Sequence, residues 1–312
     1  MRPSQAFNVS RKPSTSRDAF KLVQEPQTGT EAWHRWLLYW SAKNHVRAQS
    51  TLKSLTEGYS LGHVHSELRL FSAVTVRTSM RQVSLQNIFG PLRGLLRAAP
   101  GHVLISIDIE QAEVRVAAAL SQDSALLEAF ESSDVYVEMA KQLFALSDIT
   151  PEQRTAAKTL TLGVLYGMGA ATLAGRLGNS PAEAARLLKS FWATYPQLNQ
   201  YRMKVQEAAG TQQCSMTLGR PLSLLSTDDK HKALNACVQA ECADIITVRA
   251  VEVAARLGTE SLWLAVHDQL VVEVTPDRAD EALRVLSEVA TVPFLGVPMW
   301  GTPEVIGRAW RK

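Results

Sequence analysis

Cysteine is scarce in this sequence, and its pattern argues against two classes of protein. The 312 residues contain only three cysteines, an odd number with no Cys-x-x-Cys pair. A disulfide framework needs paired cysteines, and a structural zinc site needs clustered ones. We therefore expect neither, and the cysteine usage fits a reducing compartment.

Long apolar runs and a strong net charge are also missing. No stretch of 18 apolar residues occurs, so we expect no membrane-spanning helix. The opening MRPSQAFNVSRKPSTSR has no apolar core and is not expected to be a secretory signal. Lys and Arg number 33 against 30 Asp and Glu, an excess too small to indicate nucleic-acid binding. The 46% apolar content indicates a folded, soluble protein.

Composition separates an N-terminal arm from the rest of the chain. Residues 1–30 carry five Lys or Arg against two acidic residues, among Ser, Thr, Pro and Gln. This predicts a flexible basic arm, with a solvated tail of no function as the alternative. Over residues 31 to about 55, tryptophans at spacings of three and four predict a helix whose aromatic stripe packs in a core.

Apolar runs predict strands on both sides of a helical region. Val103–Ile109 is expected to be a buried strand, and residues 114–210 are helical in pattern. A long helix is expected from about residue 228 to residue 257. Leu262–Val266 and Leu270–Val274 then predict a hairpin with polar residues at its tip, before a last helix near 278–289. This order indicates a sheet domain with an inserted helical lobe.

Two aspartates lie at the ends of apolar strands. Asp108 closes the first strand, and Asp268 lies at the tip of the hairpin. A carboxylate beside buried strands is costly unless it is solvated, paired or bound to a cation. Two of them suit Mg²⁺, which takes one or two protein carboxylates and completes its shell with water and phosphate oxygens. The alternative for either aspartate alone is that it caps a turn.

A charged helix face follows the first aspartate. Thr150-Pro151-Glu152-Gln153 is a capping box with proline at the first helical position, so a helix begins here. Arg154, Lys158, Leu162 and Tyr166 follow at intervals of four and share one face. Two cations, an apolar residue and a tyrosine could hold a triphosphate at one end and a base at the other. The alternative is an ordinary solvated face.

Three motifs occur in the order and spacing of a known enzyme family. R-x3-K-x7-Y-G is present from Arg154 to Gly167, DIEQAEVR spans Asp108 to Arg115, and VHDQL spans Val266 to Leu270. They resemble the nucleotide-binding helix, the DYSQIELR motif and the VHDEL motif of the family A DNA polymerases, the group of bacterial DNA polymerase I. Further matches extend the resemblance over about five-sixths of the chain; they are Gly62–His65, Arg77 with Gln86, and Asn235 with Gln239.

The resemblance implies an α+β protein of right-hand polymerase architecture, with an antiparallel palm sheet and an inserted helical fingers lobe. The implied activity is template-directed addition of deoxynucleotides to a primer 3′-end. Residues 1–60 hold no DxE-type metal motif, so no proofreading is expected. The expected divisions are an arm over 1–30, a residual thumb-like helix over 31–57, palm over 58–125 and 222–312, and fingers over 126–221.

The resemblance also implies a role for each matching residue. Asp108, Asp268 and the backbone carbonyl of Ile109 would bind two Mg²⁺ ions, for which Mn²⁺ can substitute, and Lys158 would be the third catalytic residue. The metals would activate the primer 3′-hydroxyl and stabilise the leaving pyrophosphate. The implied nucleotide-binding residues are Arg154, Lys158, Leu162, Tyr166, Glu113, Gln111 and Tyr136. The implied DNA-binding residues are Arg77, Asn235, Gln239, His267, His231 and Arg115.

Two of these implied roles concern selectivity. Glu113 would occupy the space of a 2′-hydroxyl and so favour deoxynucleotides, while Tyr166 would stack at the templating position. Arg77, Asn235 and Gln239 would contact minor-groove acceptors. Those acceptors are nearly the same in every base pair, so such contacts check pairing without reading sequence.

Departures from the family pattern leave alternatives open. Leu162 replaces an aromatic residue, Gln269 replaces a glutamate, and Ile109 and Glu110 replace tyrosine and serine. One alternative is the catalytic subunit of a split polymerase whose thumb a protein partner supplies. The other is a nucleic-acid-binding accessory protein with weakened catalysis. In each case the expected partners are primer–template DNA and, for an enzyme, deoxynucleoside triphosphates. The expected location is the cytoplasm of a bacterial or phage-infected cell, with no membrane partner.

Overall fold

The structure is a computed structural model with a central sheet and an inserted helical lobe. It describes residues 31–60, 62–69, 77–132, 134–209, 212–214, 216–219, 221–223 and 227–310. The predicted arm over 1–30 lies outside these ranges. The helices are α1 Glu31–Glu57, α2 Ala112–Ser121, α3 Ser124–Ala129, α4 Val135–Phe144, α5 Pro151–Leu165, α6 Ala170–Leu177, α7 Pro181–Thr194, α8 Pro196–Glu207, α9 Ala233–Leu257 and α10 Ala279–Ala290. The strands are β1 Tyr59–Ser60, β2 His63–Val64, β3 Glu67–Arg69, β4 Ser79–Arg81, β5 Val103–Asp108, β6 Gln212–Cys214, β7 Pro221–Ser223, β8 Leu262–Val266, β9 Gln269–Val274 and β10 Glu304–Gly307.

The central sheet is antiparallel with strand order β10-β5-β9-β8. Strand β5 pairs with β9 from Val103 opposite Val274 to Asp108 opposite Gln269. The β8–β9 hairpin turns at His267 and Asp268, and His267 has the left-handed φ of 55° that the turn requires. This register brings the end of β5 beside the hairpin tip.

Both faces of the sheet are covered, which explains why β5 is apolar almost throughout. Ile105 and Ile107 belong to the large core that the sheet forms with the helices. Leu104 points to the other face, into a second cluster around the fully buried Trp310. Adjacent residues of a strand alternate between faces, so a strand buried on both sides needs a continuous apolar run.

The helical lobe, α3 to α8, is held by capping interactions. Both hydrogen bonds of the predicted Thr150 capping box are present at the start of α5. The buried carboxylate of Asp123 accepts from the N–H of Leu126 in α3 and from the N–H groups of Gln197 and Leu198 at the start of α8. One side chain thus satisfies the open ends of two helices, which would otherwise be costly to bury.

The structure also refines several sequence-based boundaries. The predicted helix over 228–257 begins with a 3₁₀ turn, Thr227–Lys232, before α9. The aromatic stripe predicted for α1 lies partly on side chains that the structure does not describe. Of the described side chains in this part of α1, that of Trp40 is half-buried and that of Leu38 is 70% exposed. Within the described ranges, no helix has the length and apolar character needed to cross a membrane.

Candidate active site

The two predicted metal-binding aspartates lie together at one end of the central sheet. Asp108 is the last residue of β5, opposite Gln269. The N–H of Ile109 donates to the backbone carbonyl of Asp268 at 2.9 Å. The two aspartates are therefore placed by backbone pairing rather than by side-chain packing, although they are 160 positions apart in the sequence (268 − 108).

Asp268 lies in a setting that suits a cation. Burial raises the pKa of its carboxyl, because an anion is less stable away from water. Among the described residues, no group of three or more His, Cys, Asp or Glu side chains is placed to hold a metal. Two carboxylates with room for water and phosphate oxygens are the donor set that Mg²⁺ uses, and an all-protein cage is not. The residues present fit a divalent cation that takes oxygen ligands.

Glu113, in the first turn of α2, collects hydrogen bonds from three distant segments. It accepts from Arg77 Nη2 at 2.9 Å, from the Tyr166 hydroxyl at 2.7 Å and from Gln239 Nε2 at 3.5 Å. Burial, followed by the charge of Glu113 and the hydrogen bond to it, raises the pKa of Tyr166, so that hydroxyl stays a donor. The carboxylate is consequently held in one place from several sides.

A cleft of about 420 Å³ opens above this carboxylate. Eight of the predicted site residues line it: Arg77, Gln111, Glu113, Tyr136, Leu162, Tyr166, His267 and Asp268. Its wall also includes Ala112, Val114 and the buried Cys242. The cleft thus brings the hairpin tip, α2 and the end of α5 around one space of ligand size.

The two predicted phosphate-binding cations contact the ring of Tyr136, which lines this cleft. Arg154 Cζ lies 5.7 Å from the centre of the Tyr136 ring, and Lys158 Nζ lies 5.5 Å from it. Both distances are within the range of cation–π attraction. Burial raises the pKa of Tyr136 to about 12, so the phenol is neutral. Neither cation lines the cleft itself.

The structure gives Arg115 a position that differs from the expected DNA contact. Its side chain is buried, and its guanidinium donates to the carbonyls of Glu110 and Pro298 at 3.0 and 2.7 Å and to Gln111 Oε1 at 3.1 Å. Burial lowers its pKa to about 10. Arg115 therefore ties the turn after Asp108 to the C-terminal segment, with its donors directed into the protein.

Three other predicted DNA-binding residues, Asn235, Gln239 and His231, lie outside the cleft lining, although Gln239 contacts Glu113. Asn235 is half-buried on α9, one turn before Gln239. His231 is exposed in the 3₁₀ turn before α9. A Cβ added to Gly167 would collide with the backbone carbonyl of His231, and Gly167 has a φ of 70°. Glycine is needed there both for its conformation and for the close approach.

Sequence reasoning missed two residues that shape the site. Asp134 accepts a 2.6 Å hydrogen bond from Arg154 Nε, and its position as the N-cap of α4 was the available signal. Gly301 packs against the end of β5, where an added Cβ would collide with the backbone carbonyl of Asp108. Only the folded backbone reveals that second contact.

Comparisons with known proteins agree with this geometry. The model of DNA polymerase family A matches residues 4–312. The thermostable DNA polymerase I of Thermus filiformis is 33% identical over 272 residues, which are 80% of this chain and 32% of that protein. DNA polymerase I of Deinococcus radiodurans is 31% identical over 262 residues, 76% of this chain and 27% of the relative. The chain thus spans between about a quarter and a third of the length of these curated relatives.

A solved structure shows the same fold. The POL domain of Pol1 from M. smegmatis, in complex with DNA primer-template and dNTP, matches with a TM-score of 0.82 and 26% sequence identity. The match covers 97% of this chain and 57% of that one. The predicted α+β polymerase architecture is confirmed. Because the family model matches almost the whole length of this chain, the chain belongs to DNA polymerase family A.

Proposed function

We propose that this chain is a template-directed DNA polymerase that adds deoxynucleotides to a primer 3′-end. The observation that carries the proposal is the meeting of Asp108 and Asp268 at the sheet end, beside the cleft that contains Glu113. The polymerases I to which the chain is similar, and the M. smegmatis domain solved with primer-template and dNTP, support the same chemistry.

The carboxylates of Asp108 and Asp268 would hold two divalent metal ions, with the Ile109 carbonyl as a further oxygen ligand. When bound, the ions would activate the primer hydroxyl and stabilise the charge on the leaving pyrophosphate. Because both aspartates are positioned by β-pairing, the backbone limits how far they can move apart during the reaction. Such preorganisation is what an electrostatic mechanism requires.

The cations on α5 would bind the triphosphate of the incoming nucleotide. Lys158 is exposed and Arg154 is 39% exposed, so both can reach an anion without a large rearrangement. Negative charge shifts onto the β- and γ-phosphates during nucleotidyl transfer, and cations at those oxygens lower the barrier. We assign Lys158 and Arg154 this role.

Glu113 would select the sugar. Arg77, Tyr166 and Gln239 hold its carboxylate from three segments, so it cannot swing away to admit a 2′-hydroxyl. A fixed carboxylate excludes a ribonucleotide more effectively than a mobile one, because displacing it to admit the 2′-hydroxyl costs free energy. Leu162 and Tyr136 would form the apolar wall on which the nucleotide rests.

The surrounding elements would bind primer–template DNA. Arg77, His267 and Gln239 lie near the cleft and would contact minor-groove acceptors, with Asn235 one turn away on α9. We assign the central sheet with α2, α9 and α10 to the palm and the lobe from α3 to α8 to the fingers. Helix α1 would then correspond to part of a thumb.

Primer extension by the purified chain tests this function. With Mg²⁺, a primer–template and all four deoxynucleotides, we expect extension in a template-directed order, and loss of extension in Asp108→Ala with DNA binding retained. No extension with either Mg²⁺ or Mn²⁺, together with normal DNA binding, would refute the proposal and favour an accessory role. Extension that appears only with an added protein fraction would favour the split-polymerase alternative.

A further inference from the structure

The carboxylate of Asp134 is not used in the proposed chemistry, yet it contacts the first cation of α5. Its Oδ2 accepts a hydrogen bond from Arg154 Nε at 2.6 Å. Its Oδ1 accepts from the N–H groups of Tyr136 and Val137, at 3.0 and 3.3 Å. One side chain therefore caps α4 and connects that cap to the charged face of α5.

The hydrogen bond with Asp134 leaves the two terminal nitrogens of Arg154 available to bind a ligand. Its Nε is bonded to Asp134, and its guanidinium lies over the ring of Tyr136 at 5.7 Å. Within the described part of the chain, neither terminal nitrogen of Arg154 donates a hydrogen bond to protein. A guanidinium presents its two terminal nitrogens as a planar fork that matches phosphate oxygens. Holding Nε fixes the plane of that fork.

Arg154 needs such support because it is partly exposed. The Arg154 side chain is 39% exposed and that of Asp134 is 31% exposed. A long, exposed side chain samples several rotamers, and ordering it on binding costs free energy. Although burial acts in the opposite direction, the bonds from Arg154 and from the two N–H groups hold the pKa of Asp134 below its ordinary value. The carboxylate therefore stays ionised at neutral pH.

We propose that Asp134 is a positioning residue for nucleotide binding, which holds Arg154 so that its two terminal nitrogens are ready to bind a triphosphate. The inference rests on the proposed function, because that function makes a triphosphate the ligand of Arg154. Removing the negative charge would by itself strengthen anion binding. At this solvent-screened site, the loss of orientation outweighs that gain.

The variant that tests this is Asp134→Asn. Asparagine caps a helix as well as aspartate does, so α4 is preserved while the charge-assisted bond to Arg154 is lost. We expect the Kd for dATP, measured by calorimetry on the full chain without primer, to rise about fivefold to tenfold. In primer extension the KM for dATP should rise similarly, while kcat stays within about twofold. Thermal unfolding should be nearly unchanged.

Two matched variants separate orientation from net charge and from stability. Glu138→Gln removes one negative charge from the same helix, where Glu138 pairs with Lys141 at 3.1 Å, and should leave the Kd for dATP unchanged. In an Arg154→Gln background, Asp134→Asn should alter the Kd by less than about twofold, since it acts through that arginine.

The outcomes distinguish this inference from the proposed function. Unchanged or tighter dATP binding by Asp134→Asn, or an equal effect of Glu138→Gln, would overturn the inference. A wild-type chain that does not bind dATP would overturn it as well. A wild-type chain that binds dATP, with weaker binding by Asp134→Asn but no primer extension, would refute the proposed function and support the positioning role.

Discussion

The two charged regions of the site are built by different means. The aspartates lie at the end of a sheet, where strand register and a backbone hydrogen bond determine their separation. The cations lie on a partly exposed helix face, where one carboxylate and one aromatic ring restrain them. A group positioned by backbone pairing cannot move without disturbing the sheet. A group positioned by solvent-screened side-chain contacts can be repositioned by a single substitution at small cost in stability.

The largest expected effect comes from removing a carboxylate at the sheet end. Asp268→Ala or Asp108→Ala should reduce the rate of primer extension to below about one-thousandth of wild type, since each substitution removes one of the two carboxylates assigned to the metal ions. Single-turnover extension at saturating dNTP measures this. Glu304→Ala, an exposed carboxylate on the same sheet, should extend normally. Near-normal extension by either aspartate variant would refute the metal-binding role.

The buried arginine behind Asp108 should be needed mainly for stability. Arg115→Met leaves two carbonyls without their donor, and we expect a loss of about 2–4 kcal/mol in the free energy of unfolding. Urea denaturation followed by circular dichroism measures it. The exposed Arg284→Met should change the free energy by less than about 0.5 kcal/mol. If Arg115→Met is as stable as wild type but binds DNA more weakly, the result would support the predicted DNA contact of Arg115 instead.

Gly301 tests how closely the sheet end is packed. In Gly301→Ala the new Cβ collides with the Asp108 carbonyl, which should cost about 1–3 kcal/mol of stability and slow extension by moving that aspartate. Gly94→Ala, where an added Cβ meets nothing within 4 Å, is the matched control. If both variants extend equally fast, the end of β5 is more adaptable than its register suggests.

Sugar selection should respond to the contacts of Glu113. We expect Glu113→Ala to increase ribonucleotide use relative to deoxynucleotide use by about tenfold or more, because a steric barrier is removed. Tyr166→Phe, which deletes only the 2.7 Å hydrogen bond, should have a smaller effect in the same direction. Single-nucleotide incorporation assays measure both ratios. Unchanged selectivity in Glu113→Ala would assign the selection to another residue.

The smallest effect should be the pH dependence of the Asp134 contact. Since the pKa of Asp134 is lowered on folding, its bond to Arg154 stabilises the fold above the ordinary aspartate pKa and is lost as pH falls through the folded value, below about pH 4. The free energy of unfolding of wild type should exceed that of Asp134→Asn by about 0.5 kcal/mol at pH 7, and this difference should shrink as pH falls below the ordinary aspartate pKa. A difference that grows on acidification would contradict the assigned sign.

Local patterns predicted the elements of this fold well. Both bonds of the Thr150 capping box form, the apolar run at Val103 becomes a central strand, and the hairpin turns at the predicted polar tip. These features depend on neighbours within a few residues, so the sequence contains their causes. The side-chain partners were harder to predict. Arg115 was expected to contact DNA, and its buried place depends on the carbonyl of Pro298, 183 positions away.

By itself, the sequence determined which chemical groups this protein has, their order along the chain and the family to which they belong. Capping boxes, periodicity and motif spacing are local properties. Only the tertiary structure decided which groups meet. Asp108 reaches Asp268 through strand register, Glu113 receives donors from three segments, and Asp134 restrains Arg154. The physical reason is that hydrogen bonds and burial between distant residues depend on how the elements pack, and spacing along the chain does not specify that packing.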